Sequence, residues 1–151
     1  MRIKPLDRVG QKIITALVQD ARLPFREIGR QVGLTGPAVA ERVRQMEDTG
    51  LIRGYHAEID PQQAGCAVQA FIRLRTAPEH YPRLLKLLDA LPDVIECHHV
   101  TGEDAFYLRV AAQSTSALEQ VIARLSPFGA TATAIILSTP LQRSAPVRAE
   151  A

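Results

Sequence analysis

The chain has 151 residues, of which 46% are hydrophobic and 5% aromatic, with no tryptophan; this suits one domain or two small ones with aliphatic cores. The formal charge is only +2, and the excess lies in residues 1–60, so charge alone does not announce a polyanionic partner. No apolar run approaches the ~20 residues a membrane span needs, residues 1–20 lack the apolar stretch of a signal peptide, and the cysteines Cys66 and Cys97 lack CxxC spacing, which reads as reduced thiols in a cytoplasmic protein.

Residues 6–18 read as a first helix, with Val9, Ile13, Ala16 and Leu17 as its buried stripe. Residues 24–32 read as a second, with Ile28 and Val32 on one face and Gly33 ending it, because glycine takes the left-handed conformation without a Cβ penalty. Thr35 can cap a third helix over residues 36–49, in whose first turn Pro37 loses little by lacking an N–H. Val39, Val43 and Met46 follow at i, i+4 and i+7, and Thr49-Gly50 stops the helix. Two short helices across a glycine turn are the layout of a helix-turn-helix, whose second helix enters the DNA major groove.

Opposite the apolar stripe of the third helix project Pro37, Ala38, Glu41, Arg44, Gln45 and Asp48. Arg44 and Gln45 can read base edges, and Glu41 can accept from cytosine. Thr35 at the helix N-terminus is placed for a phosphate. Arg42 flanks the stripe and could reach a phosphate, although an ion pair with Asp7 or Glu27 is its more natural role. Arg53 and Arg22 are backbone-contact candidates.

Residues 51–60 contain Ile52, Tyr55 and Ile59 and read as extended chain where a winged helix-turn-helix has its wing. Residues 61–65, opening on Pro61 and closing on Gly65, read as a hinge. Beyond it, Val68, Ala70, Ile72 and Leu74 share one face of a strand, with Gln69, Phe71, Arg73 and Arg75 on the other. Tyr81, Leu84, Leu85, Leu88 and Leu91 mark a helix, residues 94–100 a strand, and Thr101-Gly102-Glu103-Asp104 its turn. Phe106, Leu108 and Val110 alternate along the next strand. Ser116 and Glu119 suggest a capping box for a helix carrying Leu118, Val121, Ile122 and Leu125. Phe128-Gly129 ends that helix, and residues 131–138 form a last strand before Pro140. The order β-α-β-β-α-β is the ferredoxin-like split βαβ pattern, which leaves one sheet face open. That face is expected to show Phe71, Tyr107, Ile135 and Leu137, an apolar set that calls for a second subunit.

Leu6-Asp7, Ala21-Arg22, Glu27-Ile28, Val32-Gly33-Leu34-Thr35, Val39-x-x-Arg42-Val43-x-x-Met46-Glu47, Gly50-Leu51-Ile52-x-Gly54-Tyr55 and Ile59-Asp60-Pro61 together resemble the leucine-responsive regulator family, Lrp/AsnC, and the likeness runs on through residues 66–139. Gly10 stands where the family usually has an aspartate, and Thr35 replaces the more usual serine cap. The resemblance implies an α+β chain: a winged helix-turn-helix over residues 1–60, the hinge, a ferredoxin-like effector and oligomerisation domain over 66–143, and a tail at 144–151. It implies a transcriptional regulator that binds double-stranded DNA as a homodimer, assembles to a tetramer or octamer, and answers to a small molecule, an amino acid by family habit. In that family an acidic loop after a glycine lines the effector pocket. This points to Thr101, Gly102, Glu103 and Asp104, with Thr133 as a further hydroxyl, although Ala105 occupies the commoner acidic position.

Cys97-His98-His99 invites a metal reading, but successive strand residues face opposite ways, so packing is the better account. No Walker loop, GxSxG or HExxH occurs, and no cofactor or metal is expected. Two alternatives share the architecture. A sirohaem-decarboxylase-like enzyme would use histidines such as His98 or His99, and haem binding would reveal it. An amino-acid-binding oligomer without DNA binding would have lost the polar groups of the third helix, which Arg42, Arg44 and Gln45 retain.

Overall fold

The structure, a computed structural model, describes residues 6–142, so the expected tail at 144–151 lies outside the described residues. These residues divide into two compact units, one ending at Ala57 and joined by Leu141 and Gln142, the other Glu58–Pro140.

The first unit is a trihelical bundle. Helix α1 spans Arg8–Gln19 and begins two residues later than the pattern predicts, because Asp7 caps it by accepting from the Gly10 N–H at 2.7 Å. Helix α2 spans Phe25–Val32 with Pro24 as its N-terminal boundary, and α3 spans Gly36–Asp48. Ile13, Ala16 and Leu17 of α1, Ile28 of α2, and Val39 and Val43 of α3 close one aliphatic core, with Val9, Leu23, Val32, Leu34 and Ile52 packed around it. Each fully buried side chain of this size contributes roughly 1.5–3 kcal/mol.

Residues 51–60 form no strand, so the expected wing is absent as a β-element. An extended stretch becomes a strand only beside a partner strand, and among the described residues none pairs with it. Tyr55 instead donates its hydroxyl to Glu47 of α3 at 2.8 Å. Residues 61–65 are turn, closed by the Cys66 N–H donating to the Pro61 carbonyl at 2.7 Å.

The second unit is the split βαβ arrangement. Strand β1 spans Val68–Arg75, helix α4 Tyr81–Asp89 after a short 3-10 turn, strand β2 Val94–His99, strand β3 Phe106–Ala112, helix α5 Thr115–Leu125, and strand β4 Ala130–Ile135. The sheet is antiparallel throughout in the order β2-β3-β1-β4. Ala70, Ile72, Leu74, Leu108 and Val110 face Leu84, Leu88, Leu118, Val121 and Leu125 in one core. The N-cap of α5 is Ser114, whose hydroxyl accepts from the Ala117 N–H at 3.1 Å. The expected Ser116–Glu119 capping box is thus displaced, because the helix already starts at Thr115.

Register decides what each face shows. Phe71 pairs with Arg109 and Ala134, and Arg73 with Tyr107 and Ala132, so Phe71, Arg73, Tyr107 and Arg109 lie on the helix-free face with Glu96 and His98. Ile135 pairs with Ala70, which points to the helices. Ile135, expected on the open face, therefore belongs to the helix side at the sheet edge, and β4 ends there rather than at 138, so Leu137, 96% exposed, lies beyond the strand and on neither sheet face. Phe71, 46% exposed, and Tyr107, 36% exposed, remain as the apolar centre of the open face.

Candidate DNA interface and effector turn

The α2–α3 turn depends on two glycines. Gly33 ends α2 at φ 73°, the left-handed region that a side chain resists. Gly29, inside α2, is a close-approach residue: a Cβ there would overlap the carbonyl oxygen of Leu34. The Leu34 N–H also donates to the Gly29 carbonyl at 2.9 Å, so the chain leaving α2 lies against its own helix. Sequence reasoning missed Gly29, whose only signal is a glycine in mid-helix next to Ile28.

This turn sets α3 with Val39, Val43 and Met46 buried and Thr35, Pro37, Glu41, Arg44, Gln45 and Asp48 exposed. Thr35 is the N-cap, its hydroxyl accepting from the Ala38 N–H at 3.4 Å. Ala38 is half-buried and its N–H is engaged in that cap. Glu41 accepts from Arg44 at 2.7 Å and from the Gln45 amide at 3.1 Å. Arg44 and then Gln45 hold the Glu41 carboxyl below its usual range, and Glu41 raises Arg44 in turn. Arg42 behaves differently. Its guanidinium donates to both oxygens of Asp7, at 3.0 and 2.9 Å. Arg53 is exposed beyond the end of α3, and Arg22 sits in the α1–α2 loop, its N–H donating to Asp20.

In the second unit, Thr101, Gly102, Glu103 and Asp104 form the β2–β3 turn, held at its base by the Ala105 N–H donating to Leu74 and the Val100 N–H donating to Ala105. Gly102 has φ 110°, and a Cβ on it would meet no atom within 4 Å. Both acids reach back to β1: Glu103 pairs with Arg75, and Asp104 lies 3.5 Å from Arg73. The turn is therefore a four-charge cluster on the open side of the sheet. Arg73 and Arg75 were legible only as alternating strand residues, not as members of a site. Ala105, at the position where an acid would be commoner, is buried. Thr133 does not join the cluster: it pairs with Ile72, whose side chain faces the helices.

His98 and His99 part company as the strand geometry requires. His98, opposite Tyr107, lies 3.2 Å from Glu96, which also accepts from Arg109 at 3.0 Å on the open face. The His98 contact and then Arg109 hold Glu96 below the usual carboxylate range. His99 stacks on Phe106 at 4.9 Å and meets Tyr81 edge-on at 5.1 Å, on the helix side. Cys66 and Cys97 are free thiols, and burial pushes the Cys97 thiol up. No helix among the described residues is long and apolar enough to cross a membrane.

Comparison with known proteins covers both units. Residues 6–47 match the model of the AsnC-type helix-turn-helix domain, and residues 69–146 that of the Lrp/AsnC ligand binding domain. The HTH-type transcriptional regulator LrpC of Bacillus subtilis is 35% identical over 133 residues, 88% of this chain and 92% of that protein. Its solved structure superposes with a TM-score of 0.86, covering 95% of this chain and 100% of that one at 32% identity. Regulatory protein AsnC of Escherichia coli K12 is 30% identical over 145 residues, 92% and 95% of the two chains. The feast or famine regulatory protein of M. tuberculosis, solved in complex with L-methionine, superposes at TM-score 0.85 with 29% identity over 95% and 99% of the chains.

Proposed function

The chain belongs to the Lrp/AsnC family of transcriptional regulators, and from that premise we propose that it is a cytoplasmic, homodimeric repressor or activator whose DNA occupancy is set by a free amino acid. The observation that carries the DNA half is α3 itself. Its apolar stripe is buried against α1 and α2, while Glu41, Arg44 and Gln45 stand together on the exposed side. Arg44 and Gln45 are assigned to base edges. The Thr35 N-terminus, with Pro37 and Ala38 in the first turn, and Arg53 are assigned to the phosphate backbone. Arg42 is assigned to the Asp7 brace instead, since both of its contacts go to that carboxylate.

The sensor half rests on the charge cluster around Gly102. A free amino acid carries one carboxylate and one ammonium. Arg73 and Arg75 suit the first, and Asp104 and Glu103 the second. The L-methionine complex of the M. tuberculosis relative supports this ligand class. Dimerisation through the open sheet face would cover Phe71 and Tyr107, the large apolar side chains at its centre. Paired subunits would place two copies of α3 about one helical turn apart on a pseudo-palindromic operator. Ligand bound in one unit would reach the other through assembly, as a coupling between two sites. Selection of duplexes from a random pool, with and without an amino-acid panel, tests the proposal. Enrichment of an inverted repeat whose recovery shifts with one of the amino acids is the expected result.

A further inference from the structure

We infer that Glu41 is the specificity-determining residue of α3, an internal stand-in for a base pair that keeps Arg44 and Gln45 occupied until a G·C pair replaces it. This rests on the assignment of α3 to the major groove and says how that helix discriminates.

Both oxygens of the carboxylate are in use, Oε2 by Arg44 and Oε1 by Gln45. The three side chains lie on adjacent turns of the exposed face, so the two candidate readers are tied to one acceptor. The set is electrically closed, one negative charge against one positive. Asp48, one turn further along, adds a weaker pull on Arg44.

The consequence differs between random and cognate DNA. On a random duplex a phosphate can draw Arg44 away, but Glu41 then loses its countercharge beside a polyanion, and the gain from Arg44 is largely cancelled. Over a G·C pair both partners are replaced. Guanine O6 and N7 accept from Arg44, and the cytosine N4 amino group donates to Glu41. Gln45 is then released toward the neighbouring base. Specificity arises because a G·C pair alone offers Arg44 a two-acceptor edge, guanine O6 and N7, while also giving Glu41 a donor, not from tighter contact by Arg44 alone. A surface ion pair with no such role would add little to the helix and would leave the ratio of specific to random binding unchanged.

The experiment uses the full chain. Wild type is first taken through selection from random duplexes. The selected duplex and a scrambled one are then titrated over a salt series with wild type, Glu41→Gln and Glu41→Ala. The two variants are expected to bind the scrambled duplex about three- to tenfold tighter, with the salt slope steeper by about one phosphate contact. Their preference for the selected duplex should fall by at least about tenfold, from loss of one base-pair discrimination. Repeat selection with Glu41→Ala should no longer enrich the G·C pair. In a double-mutant cycle, Arg44→Ala should cost more on scrambled DNA without Glu41 than with it. A specificity ratio within about twofold of wild type in both variants would overturn the inference while leaving α3 as the DNA element. If wild type enriches no duplex at all, the major-groove assignment itself fails and the inference fails with it.

Discussion

Asp7 and Arg42 are 35 residues apart in sequence and joined twice in space: the guanidinium donates to both carboxylate oxygens, while Oδ1 also accepts the Gly10 N–H that starts α1. One carboxylate thus fixes where α1 begins and where α3 lies against it. Asp7→Ala removes cap and pair together and should destabilise the first unit by about 1–2 kcal/mol, mostly through the cap, since an exposed pair adds little. Asp7→Asn keeps a cap acceptor and should cost under about 1 kcal/mol. Chemical denaturation of both variants checks this; equal losses would mean that the charge, not the cap, matters.

Gly29→Ala should be far more damaging than Gly33→Ala. At Gly29 the new methyl meets the Leu34 carbonyl, which is backbone and cannot swing away. At Gly33 the space is open and only the left-handed φ of 73° resists. The expected costs are at least about 3 kcal/mol from overpacking against backbone, and about 1 kcal/mol from the disfavoured backbone conformation. Gly29→Ala should also abolish DNA binding while the second unit keeps its own thermal transition. Comparable stability of the two variants would contradict the close approach.

Arg44→Ala tests base reading. At a selected duplex it should cost roughly 1–3 kcal/mol, with little change on scrambled DNA. Equal weakening on both would move Arg44 to phosphate. No change on either would remove it from the interface.

Tyr55 offers a pH signature. Burial first, then the hydrogen bond and charge of Glu47, raise its phenol to about 12. The folded state thus favours the neutral form. Any stability from this contact is complete below the ordinary tyrosine pKa near 10 and is lost as pH rises through about 12. Tyrosinate absorbance of wild type minus Tyr55→Phe should titrate near the upper value. A midpoint near the ordinary one would detach Tyr55 from Glu47.

Much of this fold was readable because periodicity reports burial. Val39, Val43 and Met46 at helical spacing, and Ala70, Ile72 and Leu74 at alternate positions, are the residues that are buried. What escaped reading depends on partners remote in sequence. Ile135 alternates as an open-face residue would, yet its register with Ala70 turns it to the helices. Ser116 and Glu119 have capping spacing, but Ser114 lies earlier and takes the role. The wing failed because an apolar extended stretch becomes a strand only beside a partner strand. Arg73 and Arg75 joined the turn acids through a fold contact that strand alternation does not reveal.

The turn at Gly102 carries the least direct prediction. Asp104 and Arg73 are 3.5 Å apart, a loose pair that a zwitterion could enter, its ammonium toward Asp104 and its carboxylate toward Arg73. Asp104→Asn should weaken an amino-acid ligand by on the order of 1.5–3 kcal/mol, the worth of a charge-assisted contact. Arg73→Ala should weaken it comparably from the other end. Gly102→Val should abolish the response, because a β-branched residue resists φ 110° and the turn must refold to admit it. Basal DNA binding should survive all three, since the turn and α3 belong to different units. Calorimetry with an amino-acid panel, run beside a DNA shift assay, reads both properties. If wild type binds none of the panel, the amino-acid proposal fails and the DNA assignment stands. If ligand binds wild type and all three variants equally, the pocket lies away from this turn.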